Sequence, residues 1–212
     1  MVVLPPMPAR IARLPRDERG YPIPWFVATV NGQAEFRLAS AAKFREAIQQ
    51  RVCWVCGMWL YKERTFVVGP MSAISRTHGE PPCHAECAEF SVRACPFLTR
   101  PAAIRREANL PADTFSAGNA LDRNPGCSAL WDCHSRPYQK FPDGRGGILF
   151  RLPDPDRVTW WSEGRAATRE EVLESMRSGT ALYLAQSGEE PTIAARKEWK
   201  QLRQAAMQYV PA

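Results

Sequence analysis

No stretch of this sequence is apolar for long enough to cross a membrane. Its first twenty residues break every hydrophobic run with prolines at 5, 6, 8 and 15 and arginines at 10, 13, 16 and 19. The expectation is a cytoplasmic protein with neither a spanning helix nor a secretory leader. The chain also lacks a glycine-rich phosphate loop, a dinucleotide fingerprint, a nucleophile elbow and any internal repeat. The usual sequence grounds for nucleotide-dependent or hydrolytic chemistry are therefore missing. Histidine is scarce, with 3 in 212 residues, which leaves few imidazoles for acid–base work.

What is present bounds the fold. Hydrophobic residues make up 45% of the chain and charged ones 24%, enough for a buried core in one compact domain or two small ones. The net charge of +6 permits an anionic partner, although small basic proteins of the cytoplasm are common. Cysteine is the informative residue. The chain has 7, an odd number, and five fall between 53 and 95, a clustering that favours metal over a disulfide framework.

Residues 1–20 read as an extended N-terminal arm. In the next segment, 21–100, Trp25–Val30 and Glu35–Leu38 flank Asn31-Gly32 and predict a β-hairpin. Ser40 caps a predicted helix over Ala41–Gln50, with Phe44 and Ile48 on one face. Met58–Lys62 and Arg64–Val68 read as a second hairpin closed by Gly69-Pro70, and a helix is predicted over His84–Ala94, stopped by Pro96. Beyond 100 come a linker with a short basic helix near Ala102–Ala108, then strands at Ser128–His134, Gly147–Leu152 and Arg157–Trp161. Turn-forming PDGRGG and PDPD separate the strands, so an antiparallel meander is expected. Thr168-Arg169-Glu170-Glu171 is a capping box for a helix ending at Gly179, and a last helix is predicted over Thr192–Tyr209. Segments 21–100 and 101–212 are expected to form one compact unit.

The strongest chemical signal is Cys53 and Cys56 in CWVCG, followed by His84 and Cys87 in PPCHAEC. A Cys-x-x-Cys-Gly knuckle directs two sulfurs at one point, and a His and a Cys three apart in a helical turn supply the other corners of a tetrahedron. Cys83 competes with His84 for the fourth corner, and the three-residue spacing favours His84. The expected cofactor is a structural zinc ion, because four protein ligands leave no position for water. Knuckle, hairpin and ligand-bearing helix is the order of a treble clef. The fold class expected is thus α+β, a treble-clef-like zinc module plus an antiparallel meander with C-terminal helices.

Other groups carry weaker signals. Treble clefs occur in nucleases, but His78 and His134, the latter near Asp132, lack the paired arrangement such enzymes use. Cys127, Cys133 and Cys95 read as packed residues rather than a second site. One of Trp160 and Trp161 should face inward and the other outward. Arg105 and Arg106, together with the stripe Arg196, Lys200 and Arg203, could neutralise phosphates or meet a protein partner. Their dispersion puts a protein target ahead of nucleic acid.

An ordered series runs through nearly the whole chain: RGYPIPWFV at 19–27, CWVCG at 53–57, FVVGPM at 66–71, PPCHAECAEF at 81–90, ACPFL at 94–98, RNPG at 123–126 and WWSEGRAATREEVLES at 160–175. In this series the chain resembles an uncharacterised bacterial and phage family of zinc-binding proteins of about this length. The family pattern, CxxCG followed by PPxHxxC, falls on Cys53, Cys56, His84 and Cys87, with Cys83 at its variable position. The resemblance implies a small accessory protein of bacteria or mobile elements and says little about activity. The expected function is non-enzymatic binding of a macromolecule, such as a host defence or replication protein. A nucleic-acid-binding zinc finger is the second reading and an active or degenerate HNH-like nuclease the third.

Overall fold

Asn31 and Gly32 adopt φ of 50° and 79°, the left-handed pair that a two-residue hairpin needs, and they join the first two strands of a mixed α+β fold. The computed structural model describes residues 3–104, 121, 123–134, 136–144, 146–186 and 192–212. A one-turn helix α1 (Ala9–Ala12) precedes the hairpin β1 (Val27–Val30) and β2 (Gln33–Ala39), and α2 (Ala41–Gln50) then leads into the cysteine knuckle. Next come β3 (Thr65–Val68), α3 (Pro70–Ser75), β4 (Thr77–His78) and α4 (Ala85–Ala94). The second half runs β5 (Ser128–Asp132), β6 (Gln139–Pro142), β7 (Ile148–Arg151), β8 (Arg157–Ser162), β9 (Arg165–Ala166), α5 (Arg169–Gln186) and α6 (Ile193–Ala206). A 3-10 turn, Met207–Tyr209, follows α6.

The central sheet has the order β3-β5-β8-β9, a second has β4-β7-β6, and β1 and β2 form the third; all their pairings are antiparallel. Side chains alternate across the central sheet and sort into two cores. Phe66, Val68, Ala129, Trp131 and Trp160 face one cluster with Met71 and Ile74 of α3 and Val172 and Met176 of α5. Val67, Leu130 and Trp161 face the other, with the knuckle residues and α4. Both tryptophans at 160–161 are therefore engaged, Trp160 buried beside the helices and Trp161 packed toward the knuckle. Among the described residues, no helix is long and apolar enough to cross a membrane.

Several expected elements differ. The stretch expected as an extended arm contains α1, whose Ile11 is buried against the knuckle core. Thr65–Val68 does not pair with Met58–Lys62 but with β5, and Gly69-Pro70 opens α3 with proline at its first turn, where the missing N–H costs nothing. The three later strands are not one meander. β5 pairs directly with β8, while β7 pairs with β6 and β4, because Asp143 and Gly147 close a tight turn that folds β6 and β7 onto each other.

The capping box is present: Thr168 N–H donates to Glu171 Oε2 at 2.8 Å, and Thr168 Oγ1 accepts from the Glu171 N–H at 3.3 Å. The helix it starts runs through Gly179 instead of stopping there. A Cβ at 179 would lie 2.9 Å from Met71 Cε and 3.3 Å from Pro125 Cβ, so the glycine serves close packing rather than a C-cap. Residues 102–104 are not helical, Ile104 forming a bridge with Arg123, and the rest of the basic helix expected there lies outside the described residues.

Candidate metal centre

Cys53 and Cys56 sit in a turn whose geometry is set by its backbone. Gly57 N–H donates to Cys53 O at 2.9 Å, Cys53 N–H donates to Met58 O at 2.7 Å, and Val52 bridges Trp59. Gly57 has φ of +71°, a left-handed conformation that closes the knuckle without the penalty a side chain would bring. Trp54, between the two cysteines, turns into the core, where Phe26 stacks on it with centroids 4.9 Å apart and the rings of Trp25 and Phe44 meet it edge-on.

The second ligand pair is brought up by a strand bridge. Thr65 N–H donates to Cys83 O at 3.0 Å, Cys83 N–H donates to Thr65 O at 2.8 Å, and Trp54 N–H donates to Pro82 O at 3.2 Å. The chain then enters α4, with His84 as N-cap and Cys87 in the first turn. The ligand atoms of Cys53, Cys56, His84 and Cys87 lie within 4.8 Å of one another, and all four residues are buried. A tetrahedral site with metal–sulfur bonds of about 2.3 Å separates its sulfurs by roughly 3.8 Å, so a small inward adjustment completes it.

His84 shows how the tetrad fits a metal. Its Nδ1 faces Cys56 Sγ at 3.4 Å, while Nε2 lies 3.1 Å from Trp59 O, where an Nε2–H donates to the carbonyl. A carbonyl acceptor on the far nitrogen fixes the tautomer that leaves Nδ1 free to ligate, the usual arrangement around metal-bound histidine. The charge balance agrees. Burial raises the Cys53 thiol, but hydrogen bonds from the neighbouring thiols of Cys56, Cys83 and Cys87 outweigh it and lower its pKa. Hydrogen bonding to the Cys53 and Cys56 sulfurs and burial push Cys87 up.

Cys83 is buried beside this group and hydrogen-bonds Cys53, yet its sulfur does not join the converging tetrad. Cys127 and Cys133 lie in the core on the opposite face of the central sheet. Among the described residues no second group of three or more His, Cys, Asp or Glu gathers its ligand atoms. Of the basic candidates, Arg196 and Lys200 are exposed on α6 and Arg203 is half-buried; Arg105 and Arg106 lie outside the described residues.

The remaining histidines are separately engaged. His134 lies beside Asp132, with Nε2 4.0 Å from Oδ1. Asp132 itself is a buried carboxylate that accepts from Thr65 Oγ1 at 2.6 Å and from Arg157 Nε at 2.9 Å. Alternation along β5, which puts position 132 on the same face as Leu130, was the available signal for this buried acid. His78 contacts Ser72 Oγ through Nδ1 at 3.3 Å, approaches Glu80 at 4.0 Å and sets its ring edge-on to Phe66.

Burial lowers the His78 pKa from 6.5 to about 4. The unfolded chain takes up this proton first as pH falls, so the stabilisation from neutral His78 is whole above the ordinary value and is lost on the way down to the native one. His78→Asn is expected to narrow the stability gap between pH 7 and pH 5 by up to about 2 kcal/mol, measured by urea denaturation of both proteins. Any acid sensitivity of the Cys53, Cys56, His84 and Cys87 cluster affects both alike, and an unchanged gap would place His78 outside this linkage.

The chain matches no family model, and the comparisons found no similar curated protein or solved structure.

Proposed function

We propose that the chain is a non-enzymatic, zinc-stabilised binding protein of the bacterial and phage family it resembles, acting through a macromolecular partner. The observation that carries this reading is the closed, buried convergence of three cysteines and one histidine. Thiolate and imidazole donors suit zinc, and four of them leave no coordination position for a substrate or a reactive water. In this site Cys53, Cys56 and Cys87 would supply the sulfurs and His84 its Nδ1; the bound ion supplies cross-linking between the knuckle and α4. A treble-clef-like module is the corresponding fold reading, supported by the order of knuckle, β3 and ligand-bearing α4. It departs from the simple pattern in carrying α3 and β4 between knuckle and helix.

Two measurements test the proposal. Purified protein is expected to hold about one zinc per chain through exhaustive dialysis, and to leave single- and double-stranded DNA and RNA intact with added magnesium or manganese. Cleavage that disappears in His78→Ala or His134→Ala would establish the nuclease reading instead. For the class of partner, one observation now favours nucleic acid over protein: an exposed aromatic pair set among basic residues beside the metal centre.

A further inference from the structure

The segment leaving the knuckle turns two large rings to solvent. Trp59 is 62% and Tyr61 65% exposed, while Leu60 between them is buried. Alternation along extended backbone puts both rings on the outer side and anchors Leu60 beneath them. Their centroids are 5.1 Å apart and their planes are inclined at 51°, so each ring keeps a face of its own. Large aromatic rings left in water at one spot mark interaction sites more often than scattered apolar residues do.

The support under these rings is stiff. Trp59 bridges Val52, Leu60 N–H donates to Arg51 O at 2.8 Å, and Trp59 O accepts from His84, the metal-site imidazole. Rings held on a fixed backbone lose little freedom on binding, which lowers the entropic cost of a stacking contact.

The surroundings are cationic. Lys62 Nζ lies 5.6 Å from the Tyr61 centroid, and Arg13 reaches over Met58 with Nη1 3.7 Å from Sδ. Arg51 and Arg64 bracket the segment, and Glu63 is the single acidic residue between them. The core of a protein–protein interface is depleted in lysine, because a strongly hydrated ammonium is costly to bury. Aromatic faces bordered by lysine and arginine instead match bases and phosphates. Projecting rings need unpaired bases, since those of a duplex already stack on one another.

We propose that Trp59 and Tyr61 form a stacking platform for single-stranded nucleic acid, with Arg13 and Lys62 placed to meet its phosphates. This rests on the reading of the protein as a binding module and names the class of its partner.

Fluorescence polarisation of a labelled oligothymidylate of about 15 nucleotides against the zinc-loaded full chain tests it, with a duplex of equal length as competitor. The single strand is expected to bind more tightly than the duplex and to weaken as salt is raised. Trp59→Ala and Tyr61→Ala are each expected to lower affinity by about 5- to 150-fold, the range for loss of one stacked base. Lys197→Ala, at an exposed position of α6, is expected to change it little. Both rings are exposed, so the variants should keep the zinc content and melting temperature of the parent, and both are measured alongside. Absence of binding at low salt, preference for the duplex, or undiminished binding by both aromatic variants would each overturn the platform. In those cases the broader binding reading survives if a stoichiometric partner co-purifies from the native host, and falls if none does.

Discussion

Replacing His84 with alanine is expected to abolish stoichiometric zinc retention and collapse the knuckle, whereas Cys83→Ala is expected to keep about one zinc per chain. The contrast follows from position: the imidazole Nδ1 points into the tetrad, while the Cys83 sulfur stays outside it. Structural zinc contributes an apparent 10–16 kcal/mol, roughly, to the modules it folds, as much as or more than the roughly 5–15 kcal/mol that holds a typical domain together. Loss of His84 also strips the Trp59 carbonyl of its hydrogen-bond donor, a further cost of about 1–3 kcal/mol if that carbonyl stays buried. Zinc analysis after dialysis and a thermal melt read out both variants. If Cys83→Ala loses the metal and His84→Ala keeps it, the ligand assignment is reversed.

Gly57→Ala carries the second large expected effect, and here the reason is steric. An added Cβ would stand 2.5 Å from Cδ1 and 2.6 Å from Cγ of Trp25, closer than real carbon contacts come. The residue would also have to hold φ at +71°, which costs a non-glycine residue about 1–2 kcal/mol. Relief by moving Trp25 is restricted, since its ring packs on Trp54 and its N–H donates to Val55 O at 2.7 Å. Overpacking of this kind adds about 1–3 kcal/mol, so the total loss should be roughly 3 kcal/mol, readable as a lowered urea midpoint. A midpoint within experimental error of the parent would show that the indole swings aside freely.

Short-range chemistry was the part of this molecule that its sequence displayed. Asn31-Gly32, the Ser40 cap, the Thr168 capping box and the start of α4 each depend on a few neighbouring residues, and each is found where local rules place it. The tetrad was legible for the same reason, as two short motifs with fixed internal spacing. Strand partnership was not, because alternation tells which face a residue takes but not which strand lies beside it. Thr65–Val68 finds its partner more than sixty residues away in Ser128–Asp132, and nothing within either segment encodes that choice. Gly179 misled for a related reason: the contact that demands a small residue comes from Met71 and Pro125, distant in the chain. The exposure of Trp59 and Tyr61 was hidden by assigning their segment to a hairpin, although the Leu60 between them marked the alternation.

The two-faced central sheet has a consequence for any attempt to dissect the protein. Cutting after residue 100 to isolate the half with the Cys/His tetrad removes β5 and β8, and with them Leu130 and Trp161, which line that half's own core. The fragment would keep all four ligands and lose the surface they pack upon. Cutting the other way strips β3 from the edge of β5 and takes Phe66 and Val68 out of the opposite core. The sheet is a party wall common to both sides, and neither tenant can be moved out with its half of it.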